Sequence, residues 1–268
     1  MAMRGARATA LAIVLALAAP AGAQQLPGSS GSPVPDGVAE GQSAGHPKGR
    51  YQQLDALPDW GGIWFVQAGA SGGGGPPLIP KLKGEYLARY QAWRAEVAAN
   101  DGVVPRERSN CSPPGMPRIM RLGQYPYEFL FTPGRVTVNQ EAWMQTRTIW
   151  TDGRRHLEDP DPTFMGNSVG RWEGDTLVVE TIGISDQIEL DTGMPHSAQF
   201  RLTERLHLAA DDPNVLVNEM RMEDPEALEE PFEITVRYRR DREGSLIEFQ
   251  CAENDRNPID EEGHTQFL

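Results

Sequence analysis

GRWEGDTLVVETIGI, residues Gly170 to Ile184, decides the fold. Glu173-Gly174-Asp175 has the composition of a tight hairpin turn, and Thr176–Ile182 after it reads as a strand. In that strand Glu180 shares a side with Val178 and Ile182, while Leu177 and Val179 take the other. Glu180 is therefore either a carboxylate at the rim of a sheet or one held in an apolar interior.

The same period-two pattern extends on both sides. Candidate strands are Tyr127–Thr132, Arg135–Ala142, Gln145–Thr151, Asn167–Trp172, Thr176–Ile182, Gln199–Leu208, Asn214–Met222, Phe232–Arg240 and Ser245–Cys251. Pro133-Gly134, Asp152-Gly153, Asp211-Asp212-Pro213-Asn214 and Arg242-Glu243-Gly244 mark turns between them. Upstream, Asp59–Phe65 reads as a short strand, and Lys83–Asn100 as a helix with Tyr86, Leu87, Tyr90, Trp93 and Val97 at helical spacing. Short strands joined mostly by tight turns are antiparallel neighbours, and so many must pair into two sheets or close on themselves. The expected fold is mainly β: an antiparallel, up-and-down, lipocalin-like β-barrel with the helix over one end. A two-sheet β-sandwich is the alternative. A barrel of this size can hold one small ligand.

The N-terminus has the layout of an export signal. Arg4 and Arg7 precede an apolar run, Ala8–Ala19, too short to span a bilayer, and Ala21-Gly22-Ala23 is a small-x-small cleavage site. Residues 1–23 are thus expected to be a signal peptide, with periplasmic or secreted localisation and no integral membrane segment after processing. Residues 24–50, rich in Gly, Ser and Pro, read as a flexible leader, and residues 51–268 as a single barrel domain. The net charge of −13 repels phosphate backbones, which argues against a nucleic-acid partner.

Cys111 and Cys251 are the only cysteines. In an oxidising compartment the economical reading is one disulfide, contributing about 4–5 kcal/mol in the chain-entropy model. A catalytic or metal-binding pair is the alternative, but neither residue lies in a CxxC motif.

The segments CSPPGMPRIM, TPGRVTV, TDGRRH, GNSVGRWEGDTLVVET, GMPHS, TERLHL and CAENDRN, in this order, resemble a large family of exported bacterial proteins, mostly from soil and aquatic species. The resemblance spans about Pro76 to Asn257. It implies export and a single domain. It carries no activity and no catalytic residues, so function rests on chemistry.

Glu204 is the most informative candidate. Phe200, Leu202, Leu206 and Leu208 form one apolar row of their strand, and Glu204 interrupts it. A buried carboxylate must be paired, hydrogen-bonded or protonated, and in a cavity it is a candidate general acid or base. A buried ion pair with an arginine is the structural alternative. His196, in a loop before this strand, could shuttle protons, with Asp191 orienting it and Glu180 as a second carboxylate. Arg154, His156, Trp150 and Trp172 are candidate ligand contacts near a barrel mouth. No HxH or HExxH spacing supports a metal, and the absence of GxSxG, GxGxxG and Walker patterns leaves no cofactor expected.

Two functions remain: a cofactor-independent isomerase, lyase or hydrolase acting on a small, largely apolar substrate, and a non-catalytic ligand carrier or scavenger. An envelope scaffold with a filled core is a third reading. A cavity holding Glu204 without an arginine partner favours the enzyme, an apolar cavity the carrier, and no cavity the scaffold.

Overall fold

The computed structural model describes residues 51–67, 78, 80–102 and 112–249. The segments expected to be a signal peptide and a leader, and both cysteines, lie outside the described residues. The strands are β1 (Ile63–Val66), β2 (Tyr127–Thr132), β3 (Arg135–Gln140), β4 (Gln145–Trp150), β5 (Asn167–Glu173), β6 (Thr176–Ile182), β7 (Arg201–Ala209), β8 (Asp212–Glu223) and β9 (Phe232–Asp241). They follow one another in sequence order round a closed barrel, and β9 pairs back onto β1. The sandwich alternative is thereby set aside.

The hairpin of β5 and β6 forms as its composition requires. Glu173 pairs with Thr176 across Gly174-Asp175, and Gly174 takes φ 61°, a conformation that costs a glycine little. Antiparallel pairing holds at every junction but one. β4 and β5 run parallel through Ile149↔Ser168 and Trp150↔Val169, because residues 151–166 carry the chain back along the barrel before β5 begins. The expected up-and-down pattern therefore holds for strand order and fails in direction at this junction.

A second correction concerns Ser245–Cys251. Residues 245–249 form no strand, and 250–251 lie outside the described residues. β9 already has β8 and β1 as neighbours, so a closed barrel leaves no edge for a further strand. The segment packs against the end of the barrel instead: Phe249 meets Tyr125 and Trp143, and the Ile247 amide donates to Glu141.

Alternation decides which side chains enter the barrel. Trp64, Tyr127, Phe129, Val136, Val138, Ile149, Leu177, Val179, Leu202, Leu206, Leu216, Met220, Val236 and Tyr238 are buried and belong to one apolar cluster. The outer face of β5–β9 is charged instead. Arg171–Glu173, Glu173–Arg205, Arg221–Glu233 and Arg239–Asp212 pair across it at 2.5–3.0 Å. A barrel crossing a bilayer would need an apolar belt there, so this wall is built to face water. Among the described residues no helix is long and apolar enough to cross a membrane.

The helix, α1 (Gly84–Ala99), ends within a residue of the expected bounds at each side but buries no residue fully. Tyr86, Leu87 and Tyr90 pack partly against the core. The Trp93 ring lies over Gly193, where a Cβ would come within 2.2 Å of it. A 3₁₀ turn, Arg118–Arg121, closes one end of the barrel, with Ile119, Met120 and Arg121 buried. Two phenols pin it: Tyr127 Oη donates to the Ile119 carbonyl at 2.8 Å, and Tyr238 Oη to the Met120 carbonyl at 2.6 Å. Burial holds both phenols well above the ordinary tyrosine range, so they remain protonated donors. Tyr238→Phe is expected to cost about 1–3 kcal/mol by leaving a buried carbonyl without its donor, measurable as a lowered urea midpoint at unchanged slope.

Candidate functional site

Glu204 points into the barrel and is fully buried. β7 places it between Leu202 and Leu206 in the inward row, opposite Val179 of β6 and Met220 of β8. Arg147 of β4 reaches across the interior and pairs with Glu204 Oε2 through Nη2. Asn218 Nδ2 donates to the other oxygen at 2.9 Å. The buried carboxylate thus has the arginine partner that its position demands.

The arginine is held in turn. Its Nε donates to Ser168 Oγ at 3.2 Å and its Nη2 also donates to Thr181 Oγ1 at 2.9 Å. Ser168 and Thr181 face each other across β5 and β6, with their hydroxyls 2.9 Å apart. Gln140 on β3 pairs with Tyr127 on β2, and its buried side chain meets the Tyr127 phenol. Tyr127 and Tyr238 meet edge to face at 5.3 Å. A polar layer therefore crosses the interior, bounded by the 3₁₀ turn on one side and by apolar rings on the other.

Most atoms of this layer are satisfied, but some are not. Arg147 Nη1, Asn218 Oδ1 and Gln140 Oε1 are buried without a hydrogen-bond partner, whereas the Gln140 amide group lies against the Tyr127 phenol and that of Asn218 against the Tyr238 phenol. Such groups cost about 1–3 kcal/mol each when left unmet, so a native interior fills them with water or a guest.

The other candidates do not gather round Glu204. Glu180 sits one register position away, opposite Thr203, but on the outer face of the sheet. It is a carboxylate of the rim rather than of the interior, answered by Arg201 on the next strand at 2.6 Å, with His156 Nε2 at 3.2 Å. His156 Nδ1 lies 2.9 Å from Asn167 Oδ1. Arg154 stacks on Trp150 at 3.7 Å and is also gripped by Asp152 at 2.7 Å, both outside the barrel wall. Trp172 stands at the opposite mouth against Trp60 and Phe131.

Asp191 does not orient His196. Its carboxylate meets Arg121 at 3.3 Å and caps the Thr192 amide at 2.8 Å. His196 is buried in its loop, with Nδ1 2.7 Å from the Ser197 carbonyl and its ring against Phe200. Burial pushes this imidazole below its ordinary value of 6.5, against the opposing pull of nearby Asp224 and Asp186. A depressed folded-state value means that the unfolded chain takes up the proton first. The His196 contribution to stability is therefore present above pH 6.5 and lost as pH falls through the folded-state value. Melting temperatures of wild type and His196→Gln, followed from mildly alkaline to mildly acidic pH, should converge as pH drops.

Arg147, Asn218, Ser168, Thr181 and Gln140 were not singled out from the sequence. Arg147 had a signal, since it alternates with Ile149 on a candidate strand, but two polar neighbours in a short row hide an inward face. Two pockets, of about 490 and 160 Å³, lie beside Asp224 and Leu228 and beside Leu57 and Trp172 respectively, and Glu204 lines neither. Among the described residues no cluster of His, Cys, Asp and Glu could hold a metal ion. No protein-family model matches the chain, and no curated protein matches it.

Proposed function

We propose that the protein is an exported, non-catalytic carrier whose barrel interior orients a small molecule through the Arg147–Asn218–Gln140 layer. The observation that supports this reading is the set of unmet donors and acceptors within a layer otherwise fully bonded. Arg147 Nη1 offers a donor, while Asn218 Oδ1 and Gln140 Oε1 offer acceptors. A guest presenting both kinds of group would complete the layer, and it must be little larger than a few waters because none of these side chains lines either pocket. Glu204 and Arg147 neutralise each other, so that guest is a small uncharged molecule.

The enzyme reading is weaker on the same geometry. A general base needs an oxygen facing the substrate, and each Glu204 oxygen already has a protein partner. His196, the candidate proton shuttle, engages the Ser197 carbonyl through Nδ1 and keeps Nε2 buried in its own loop. Export and a Cys111–Cys251 disulfide belong to the proposal, resting on the N-terminal signal pattern and the cysteine count.

Native mass spectrometry of protein purified from its own periplasm tests the reading. The expected result is a non-covalent mass, released on denaturation, that is lost in Asn218→Leu. Bare protein in gentle spectra, together with an interior that an experimental structure fills with water alone, would leave a structural barrel and end the carrier assignment.

A further inference from the structure

The end of the barrel opposite the 3₁₀ turn has a different chemistry. Trp60, Phe131 and Trp172 form a triangle of edge-to-face rings, with centroids 5.3–5.5 Å apart. Beside them a pocket of about 160 Å³ opens between the Tyr51–Leu54 turn and the β2–β3 hairpin. Leu54, Leu57, Phe131, Val136 and Trp172 supply its apolar wall, and Thr132 and Thr151 stand among its polar members. The buried Trp60 ring backs two of the lining rings without itself lining the pocket.

We infer that this pocket is a second binding site, distinct from the polar layer, for a phenol-class molecule: one aromatic ring carrying an oxygen substituent. Size, wall and polarity each bear on this. A half-open pocket of about 160 Å³ has room for one six-membered ring, whereas an acyl chain would need a longer channel. Ring edges already arrayed in T-shaped pairs offer a further ring the same favoured geometry. The substituent oxygen accounts for the polar side, where the Thr151 hydroxyl can bond it. The site stands on different residues from the carrier reading and survives the failure of that reading.

The test is a titration of the isotopically labelled protein with 4-cresol, followed by amide chemical shifts, with cyclohexanol as a non-aromatic control of similar size. Saturable shifts are expected at Leu57, Gly134 and Thr151, with much weaker binding of cyclohexanol. Leu57→Trp, which fills the pocket, should abolish saturation while the melt stays close to wild type. Should that variant unfold, Thr151→Met narrows the pocket from the opposite wall. Linear, non-saturating shifts, shifts spread over the surface, equal affinity for cyclohexanol, or undiminished binding in a folded filled-pocket variant would each overturn the assignment.

Discussion

Replacing Glu204 by Gln is expected to lower the unfolding free energy by about 3–5 kcal/mol, because the change leaves a buried guanidinium without its counter-charge. Arg147 is 3% exposed on its side chain and Glu204 is not exposed at all, so water cannot step in for the lost partner. The substituted amide could still accept one hydrogen bond from Arg147, which places the loss below that of a full truncation. Arg147→Met strands the carboxylate instead and should cost a similar amount. Changing both at once, Glu204→Leu with Arg147→Met, removes the charges together and should recover most of the loss, since apolar groups of similar volume often replace a buried pair at little cost. Urea unfolding of the three variants gives the coupling directly. An unchanged midpoint in Glu204→Gln would mean that the pair contributes little, and the catalytic role of Glu204 would return as the better account of its position.

How much of this was legible beforehand differs by element. The β5–β6 hairpin could be read because a two-residue Gly-Asp turn and a clean alternation agree with each other. Glu204 could be read as inward because four apolar residues share its row. Its partner could not be named, since contacts between β4 and β7 join residues far apart in the chain and leave no local mark. The parallel β4–β5 junction was equally hidden: residues 151–166 carry turn signals but nothing that states the direction of the strand that follows. Ser245–Phe249 has a strand-like composition and failed as a strand for a global reason, the closure of β9 on β1. Glu180 shows the limit of a one-strand pattern. Val178 on its side of β6 is buried, yet the carboxylate reaches past it to Arg201 at the surface.

Asp224→Ala is expected to cost about 3–5 kcal/mol, and it is the residue that pattern reading passed over entirely. Asp224 is 3% exposed and lies just beyond β8, where a carboxylate would ordinarily be taken for solvent-facing turn chemistry. Its Oδ2 accepts from the Ser197 amide at 2.7 Å. Its Oδ1 accepts from the Ser197 hydroxyl at 2.7 Å and from the Glu226 and Ala227 amides at 3.1 and 3.0 Å. One side chain thus ties the His196 loop to the turn after β8, and the Ala227 carbonyl then receives the Lys83 amide at the start of α1. Removing the carboxylate leaves several donors buried at once, and the loss should exceed that of any single hydrogen bond. A graded series separates this account from simple cavity formation. Ser197→Ala deletes one of these bonds and should cost about 1 kcal/mol. Asp224→Asn keeps the bonds at Oδ1 but turns an amide N–H₂ toward the Ser197 amide, a donor facing a donor, and should fall between the two at about 1–3 kcal/mol. Amide hydrogen exchange at Ser197, Glu226 and Ala227 should rise in the same order. If Asp224→Asn proved as stable as wild type, or if exchange rose uniformly over the barrel, the tie between loop and turn would not be what holds this end together.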